Sequence, residues 1–320
     1  MVIPGPLDIK DAGRAPGVIR ASGLEFRYGS AAPILKGVDL EISAGEVVAI
    51  VGQAGSGKTS LLRLFAGLLA PTGGTLEVPS RRTSGGRVML GFAAEVEPHF
   101  ESMTGEQNAL FFARAAGVRK ADAAASVAEH LGLLGLGGDA QRPVSEYSFE
   151  ARRRLLLVEA LAHRPALTLI DNPFLGLDQA ARGALIHVLR LQSAKRGTVV
   201  VASPTLTLLP ELADRILFLH EGRIVTGGRV AELLGSLGNA TRIEIGFERR
   251  PARIEAQFRP GTKVLSDGDP FVLESGRGPA AVGDVCAALA ATGAIIKSVT
   301  VREADLEEVF RRATGVELSA

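Results

Sequence analysis

The first 237 residues combine two hydrophobic periodicities. Short apolar runs bounded by Gly and Pro favour buried β-strands, whereas leucines that recur at helical spacing favour helices. The predicted strands are Val18–Phe26, Val38–Ile42, Glu46–Val51, Thr75–Val78, Arg87–Ala93, Leu167–Ile170, Thr198–Ala202 and Ile216–Leu219. The predicted helices are Thr59–Leu69, Ala109–Ala116, Ala121–Leu131, Phe149–Ala162 and Ala180–Ser193, the first ended by Pro71 and Gly73. Strands that alternate with helices predict an α/β fold with a mostly parallel sheet.

The pattern also predicts domain boundaries. Residues 1–17 form a flexible leader, and residues 18–237 form one large domain with an inserted helical subdomain at about 98–163. The pattern breaks near residue 238, and residues 241–320 are predicted to form a small α+β domain. Its predicted strands are Thr241–Phe247, Phe271–Glu274 and Lys297–Val301, and its predicted helices are Val282–Ala291 and Asp305–Ala313.

Composition narrows the possible classes of function. The formal net charge is +1, so there is no basic excess of the kind that nucleic-acid binding needs. The only cysteine, Cys286, excludes an intrachain disulfide and fits a reducing compartment. The sequence has no apolar run of the roughly 18 to 20 residues that a bilayer span needs, and its start does not resemble a signal peptide. We therefore expect a soluble, cytoplasmic protein.

A glycine-rich segment between a predicted strand and a predicted helix carries the strongest chemical signal. It reads Gly52, Gln53, Ala54, Gly55, Ser56, Gly57, Lys58, Thr59 and Ser60, which matches the phosphate-loop pattern at every fixed position. Glycines let backbone N–H groups surround a phosphate, and the helix N-terminus adds partial positive charge. Lys58 is expected to reach the β- and γ-phosphates, and the Thr59 hydroxyl is expected to bind Mg²⁺.

A second motif accompanies the phosphate loop. Leu167–Ile170 is an apolar strand that Asp171 follows directly. A carboxylate at this place in a phosphate-loop protein holds Mg²⁺, usually through water. We therefore predict a nucleoside triphosphate site with Thr59 and Asp171 at the metal.

Together these motifs resemble the ATP-binding-cassette (ABC) transporter ATPases over about residues 18–237. Tyr28 matches the family's adenine-stacking aromatic residue, and Asp178 in Leu175-Gly176-Leu177-Asp178 matches its D-loop. The ending, from Val299 through Ala304-Asp305-Leu306-Glu307-Glu308-Val309-Phe310 to Thr314-Gly315, is similar to ABC-2 type export ATPases of the drug-resistance class. The resemblance implies a P-loop NTPase core with an antiparallel β subdomain and a helical subdomain. It also implies ATP and Mg²⁺, membrane-spanning partner subunits, a second ATPase subunit, and a place on the cytoplasmic face of the membrane.

The residues that the family uses for hydrolysis are replaced. Asn172 stands where the family has its catalytic glutamate, and an amide cannot accept a proton from water. Pro204 stands where the family has its switch histidine and offers no side-chain donor. Glu95 stands at the family's Q-loop glutamine, where it is expected to remain a metal ligand.

The family's signature segment is also altered. The family's Leu-Ser-Gly-Gly-Gln aligns with Tyr147-Ser148-Phe149-Glu150-Ala151. In the family this helix N-terminus grips the γ-phosphate held by the opposite subunit. Phe149 adds bulk where the backbone must approach closely, and Glu150 places a negative charge where a phosphate docks. Ser148 is kept as a contact. Arg154, farther along the same helix, is expected to form structural salt bridges.

Three hypotheses follow from the combination of kept nucleotide-binding motifs and replaced hydrolytic residues. The preferred one is the degenerate half of a heterodimer, which binds ATP while a partner cassette supplies hydrolysis. Under this hypothesis the partner's phosphate loop faces the altered signature, so both composite sites carry a defect. The first alternative is a regulatory or scaffold protein that binds ATP without turnover. The second alternative is an active ATPase that uses an unconventional base such as Glu95.

Overall fold

The computed structural model describes residues 19–78, 90–94, 98–237, 241–250, 258–303 and 305–318. The chain divides into two compact units: the first runs to Gly228 and also includes Leu318, and the second runs from Arg229 to Glu317. The sequence placed its domain boundary after residue 237. In the structure the division comes earlier, because the short helix after residue 229 packs with the terminal helix of the second unit.

Residues 19–229 contain two of the three sheets and most of the helices of the described ranges. Its strands are β1 (Ile19–Phe26), β2 (Leu35–Ile42), β3 (Val47–Val51), β4 (Gly73–Glu77), β5 (Leu90–Ala93), β6 (Leu167–Asp171), β7 (Thr198–Ser203), β8 (Arg215–His220) and β9 (Arg223–Arg229). Its helices are α1 (Lys58–Phe65), α2 (Gly105–Ala115), α3 (Lys120–Leu133), α4 (Phe149–Leu161), α5 (Gln179–Ala194) and α6 (Leu209–Leu212). The predicted alternation of strands and helices is confirmed, whereas β9 and α6 were not predicted.

A six-stranded sheet in the order β5-β6-β7-β3-β8-β9 forms the centre of this unit. Strands β5 to β6, β6 to β7, β7 to β3 and β3 to β8 all pair in parallel. Every residue of β3, β6 and β7 is buried, which is why these strands are continuous apolar runs rather than alternating ones. Their carboxyl ends therefore lie side by side at one edge of the sheet.

A separate three-stranded antiparallel sheet, in the order β2-β1-β4, shares its core with the face of the parallel sheet that α1 covers. Helix α1 ends at Phe65, so the predicted end at Leu69 is wrong. The reason is Gly67, which adopts φ +60° and lets the N–H groups of Gly67 and Leu68 bond back to Leu64 and Arg63.

Helices α2, α3 and α4 pack against one another as the inserted helical subdomain. Thr104 begins α2 with a capping box in which its hydroxyl accepts from the N–H of Gln107 and the Gln107 side chain accepts from the N–H of Thr104. Tyr147, just before α4, donates its hydroxyl to the carbonyl oxygen of Asp139. These local bonds fix where α2 and α4 begin.

The second unit is a four-stranded antiparallel sheet with helices. Its elements are α7 (Val230–Gly235), β10 (Thr241–Arg249), β11 (Thr262–Asp267), β12 (Phe271–Ser275), α8 (Ala281–Ala291), β13 (Ile295–Glu303) and α9 (Leu306–Thr314), with sheet order β11-β12-β10-β13. The predicted α+β character of this region agrees with these elements, although β11 and α7 were missed. None of the helices in the described ranges has the length and hydropathy to cross a bilayer.

Gly91 tests the packing of β5 against α4. A β-carbon at Gly91 would lie 2.1 Å from the backbone carbonyl oxygen of Ala160, so we expect Gly91→Ala to lower the free energy of unfolding by about 1–3 kcal/mol. Gly183 in α5 is the matched control: it is exposed and a β-carbon there meets nothing within 4 Å, so Gly183→Ala should stabilise by roughly 0.5–1 kcal/mol. Denaturant unfolding of both variants measures the difference, and equal effects would contradict the packing described.

Candidate functional site

The glycine-rich loop lies between the end of β3 and the start of α1, as predicted. Gly52 packs so closely on β8 that a β-carbon would lie 2.0 Å from the carbonyl oxygen of Leu219. Gly55 and Gly57 have φ values of +77° and +106°, which other residue types rarely adopt. Of the remaining loop residues, Gln53 is half-buried, Ala54 is exposed, and Ser56 and Ser60 are buried. The glycines are therefore required by close approach and by backbone conformation.

Lys58 is the first residue of α1, and its side chain turns back into the loop. Its Nζ donates to the carbonyl oxygens of Gly52 and Gln53, at 2.7 Å for Gln53, and to the Ser56 hydroxyl at 3.3 Å. Burial lowers the pKa of Lys58 to about 8, and the nearby carboxylate of Asp171 opposes that shift. The loop thus holds a partly desolvated cation that is available to an anionic ligand.

Thr59 and Asp171 meet across the sheet edge. The Thr59 hydroxyl donates to Asp171 Oδ2 at 2.7 Å, although the two residues are 112 positions apart in the sequence. Asp171 is the last residue of β6 and is buried. A hydroxyl and a carboxylate are oxygen ligands of the kind that Mg²⁺ takes beside phosphate groups. In the described ranges no cluster of three His, Cys, Asp or Glu side chains could hold a metal.

Tyr28 follows β1 and is 42% exposed. Its ring meets the Phe26 ring edge to face, with the centroids 4.8 Å apart. Its hydroxyl accepts from Arg63 Nη1 at 3.4 Å, which connects it to α1. An exposed ring held in this way offers a face on which an adenine can stack.

The positions predicted to be altered lie at the carboxyl ends of the central strands. Asn172 directly follows β6 with φ +54°, a conformation that asparagine tolerates better than most residues, and its N–H donates to the carbonyl oxygen of Ala202. Pro204 directly follows β7, where the preceding Ser203 hydroxyl bonds within its own turn to Thr205. Neither Asn172 nor Pro204 supplies a base at this edge of the sheet. Glu95 lies outside the described residues.

The segment at the start of α4 carries the altered signature. Ser148 is the helix N-cap, and its hydroxyl accepts from the N–H of Ala151 at 3.2 Å. Phe149 is 54% exposed. The pKa of the Glu150 carboxyl is lowered by its own backbone N–H and then by the Ser148 hydroxyl. A carboxylate of this chain therefore already uses donors of the helix N-terminus.

Asp178 links the loop after β6 to two helices. Its Oδ1 accepts from the N–H of Ala181 and caps α5, while its Oδ2 accepts from Arg154 Nη2 at 2.6 Å. The structural salt bridge expected of Arg154 is thus present. Gly176 in the same loop has φ +69°, and a β-carbon there would lie 2.9 Å from the Phe149 ring. The altered signature and the D-loop segment are therefore neighbours.

Sequence reasoning missed Arg153. This side chain is buried and donates to the carbonyl oxygen of Ala94, just after β5, and to that of Asp171 at the end of β6. It ties the two strand ends together directly behind the predicted metal ligand. The run Arg152-Arg153-Arg154 was a visible signal, because three arginines on consecutive helical positions cannot all face solvent.

Comparisons with known proteins agree on one class. The ABC transporter family profile matches residues 35–175. The daunorubicin/doxorubicin resistance ATP-binding protein DrrA of Streptomyces peucetius is 30% identical over 93% of this chain and 92% of its own length. A fluoroquinolones export ATP-binding protein of Mycobacterium tuberculosis is 29% identical over 94% of this chain and 95% of its own. A solved ATP-binding subunit of an ABC transporter shares the fold, with a TM-score of 0.62 at 23% identity over 69% of this chain and 93% of its own.

Replacing Arg153 tests whether it supports the end of β6. Arg153→Met keeps the aliphatic stem but leaves the buried carbonyl oxygen of Asp171 and the partly buried one of Ala94 without this donor, so we expect a loss of about 2–4 kcal/mol in the free energy of unfolding. Arg152→Met is the control, because Arg152 pairs with the exposed Glu101 and its loss should cost under about 1 kcal/mol. Urea unfolding of both variants measures the two losses in free energy of unfolding. Comparable losses would contradict the role given to Arg153.

Proposed function

Because this chain belongs to the ATP-binding proteins of ABC transporters, of the export and drug-resistance type, we propose that it binds Mg²⁺-ATP and drives membrane-spanning export subunits while a partner cassette performs hydrolysis. The observation that supports this most strongly is a contrast within one site. Lys58, Thr59 and Asp171 lie together beside the phosphate loop, whereas Asn172 offers no base and Pro204 offers no donor for a γ-phosphate. Such a subunit sits on the cytoplasmic face of the membrane.

ATP binding rests on the loop and on Lys58. The loop N–H groups and the α1 N-terminus favour phosphate, and the Lys58 amine would exchange its carbonyl partners for phosphate oxygens. The Thr59 hydroxyl and the Asp171 carboxylate would hold Mg²⁺, which neutralises phosphate charge. The Tyr28 ring would stack on the adenine.

Weak hydrolysis rests on Asn172 and Pro204. An amide at Asn172 can orient a water molecule but cannot take its proton, and a positioned base is typically worth about 10²- to 10⁴-fold in rate. Pro204 has neither a side-chain donor nor an N–H with which to bind the γ-phosphate. The bound nucleotide is therefore expected to remain ATP for long periods.

A partner cassette is supported by exposed apolar residues beside the altered signature. Phe149 and Leu175 are 54% and 45% exposed, and both belong to the neighbouring segments at the start of α4 and before α5. Large exposed apolar side chains that lie together favour a protein interface. Phe149 and Glu150 are poorly suited to bind a phosphate, and a homodimer would place them in both of its sites. We therefore propose a heterodimer rather than a homodimer.

Membrane-spanning partners are supported by an aromatic cluster on the helical subdomain. The rings of Phe100, Phe111 and Phe112 contact one another, with centroids 4.9 to 6.2 Å apart. Phe100 and Phe111 are 43% and 46% exposed. We propose that this cluster receives the cytoplasmic part of an export subunit.

Nucleotide affinity should depend on pH through Lys58. Phosphate favours the charged amine, so the bound form keeps its proton while the free protein loses it as the pH rises through about 8. We expect the Kd for Mg²⁺-ATP to rise roughly tenfold between pH 7 and pH 9, with proton uptake on binding at pH 9. Titration calorimetry in buffers of different ionisation enthalpy measures both.

Lys58→Arg is the control for this pH dependence, because a guanidinium stays charged throughout the range. Its affinity should be almost independent of pH, and Lys58→Ala should bind weakly at every pH. The same slope in the wild type and in Lys58→Arg would show that another group titrates.

Restoring a base should restore hydrolysis in part. We expect Asn172→Glu to raise phosphate release by on the order of 10²-fold, although a glutamate with φ near +54° costs about 1–2 kcal/mol of stability. Asn172→Gln has the same length without a base and should stay near the wild-type rate. A steady wild-type rate that Lys58→Ala abolishes would instead support an active ATPase with unconventional groups.

The need for a partner cassette can be tested by mixing this chain with one. Phosphate release should be near background for this chain alone and should rise when the ATP-binding cassette encoded beside it is added. Binding without any stimulation by such a cassette or by membrane subunits would favour the regulatory or scaffold function.

A further inference from the structure

A groove on the first unit lies away from the loop between β3 and α1. It is bounded by α3, by the connection between α4 and β6, and by the carboxyl half of α5, and its cavity volume is about 400 Å³. This lies within the range of roughly 300–1,000 Å³ in which small-molecule sites are found. None of the residues that line it belongs to the proposed nucleotide site.

Part of the lining of the groove is apolar. Leu133 from α3 and Leu191 from α5 are 38% and 44% exposed, and the better buried side chains of Leu161, Pro165 and Val188 complete the apolar surface. Because α3 belongs to the helical subdomain and α5 packs on the parallel sheet, the two exposed leucines come from different parts of the unit. A ligand that covered both would bridge these parts.

The groove also has an excess of positive charge. Arg164 is paired with Glu129 at 2.8 Å, so these two residues neutralise each other. Lys195 and Arg196, at the end of α5, form no ion pair with any residue in the described ranges. An anionic group would therefore be attracted to this end of the groove.

Two polar side chains that line the groove are engaged within the protein. Gln192 donates its amide to the carbonyl oxygen of Pro165 and to the Thr168 hydroxyl. His130 Nδ1 lies 2.7 Å from the carbonyl oxygen of Ser126, so Nδ1 carries the proton. Burial lowers the pKa of His130, which agrees with a neutral ring. The positive charge of the groove therefore comes from Lys195 and Arg196.

We propose that this groove binds an amphipathic organic anion. Its apolar body lies on Leu133 and Leu191, and its anionic group lies beside Lys195 and Arg196. The site does not depend on nucleotide binding. Because it joins α3 to α5, an occupant holds the helical subdomain against the core.

The probe for this site is 8-anilinonaphthalene-1-sulfonate, an aromatic anion with one N–H group. Titrated into the folded full-length chain, it should give saturable fluorescence with one site per chain. N-phenyl-1-naphthylamine, which is the same molecule without the sulfonate, should bind roughly tenfold more weakly because it cannot use Lys195 and Arg196. Equal affinity for the two probes would contradict the selection for an anion.

Two variants locate the probe. Leu191→Glu places a carboxylate beside the anion and removes apolar surface, so its affinity should fall about tenfold or more. Lys195→Glu, on an exposed side chain, should weaken binding in the same direction without affecting folding. Leu234→Glu in α7 is the matched control, because Leu234 is helical and 37% exposed. Equal losses in Leu191→Glu and Leu234→Glu, or no loss in Lys195→Glu, would overturn the proposal.

A competition experiment separates this site from the proposed nucleotide site. Saturating Mg²⁺-ATP should leave the bound probe in place, and Lys58→Ala should bind it as the wild type does. Displacement by Mg²⁺-ATP would place the probe at the nucleotide site and overturn the proposal. Failure of ATP binding with intact probe binding would instead count only against the proposed function.

Discussion

The hydrogen bond between Thr59 and Asp171 is the contact on which the organisation of this site depends. It joins the first turn of α1 to the end of β6, and in the sheet order β7 lies between β6 and β3, the strand that leads into α1. The bond can form only because parallel strands place their carboxyl ends at one edge of the sheet. The helical subdomain inserted between the two motifs, at about residues 98–163, leaves that edge unchanged, because α4 packs beside β5.

Under the proposed function, this edge of the sheet carries groups that bind the nucleotide but lacks the groups that would cleave it. Lys58, Thr59 and Asp171 are held by backbone and side-chain bonds that need no ligand. Asn172 and Pro204 follow directly after the strands that end at this edge, where proton transfer and γ-phosphate contacts would be needed. Under the proposed function, the group that holds Mg²⁺ and the position that lacks a base are adjacent residues, Asp171 and Asn172.

The sequence predicted most of what the phosphate chemistry constrains. Only certain residue types at fixed spacing can wrap a phosphate, so Gly52 to Thr59 and Asp171 were recognisable without a structure. The features that were not predicted depend on contacts between residues distant in the sequence or have only a weak hydrophobic pattern. Arg153 was missed because its partners, the carbonyl oxygens of Ala94 and Asp171, come from two other strands. Strands β9 and β11 were missed because neither has a buried residue to give an apolar pattern.

We propose that this chain holds ATP without cleaving it. The most direct measurement incubates the purified chain with Mg²⁺ and ATP, separates the complex from free nucleotide, and identifies the nucleotide that remains bound. An ordinary enzyme completes about 10 turnovers per second. We expect the bound nucleotide to be intact ATP even after an incubation that is many times longer than one such turnover. Recovery of ADP and phosphate from the isolated chain would contradict the account, because it would show that the residues after β6 and β7 support hydrolysis unaided.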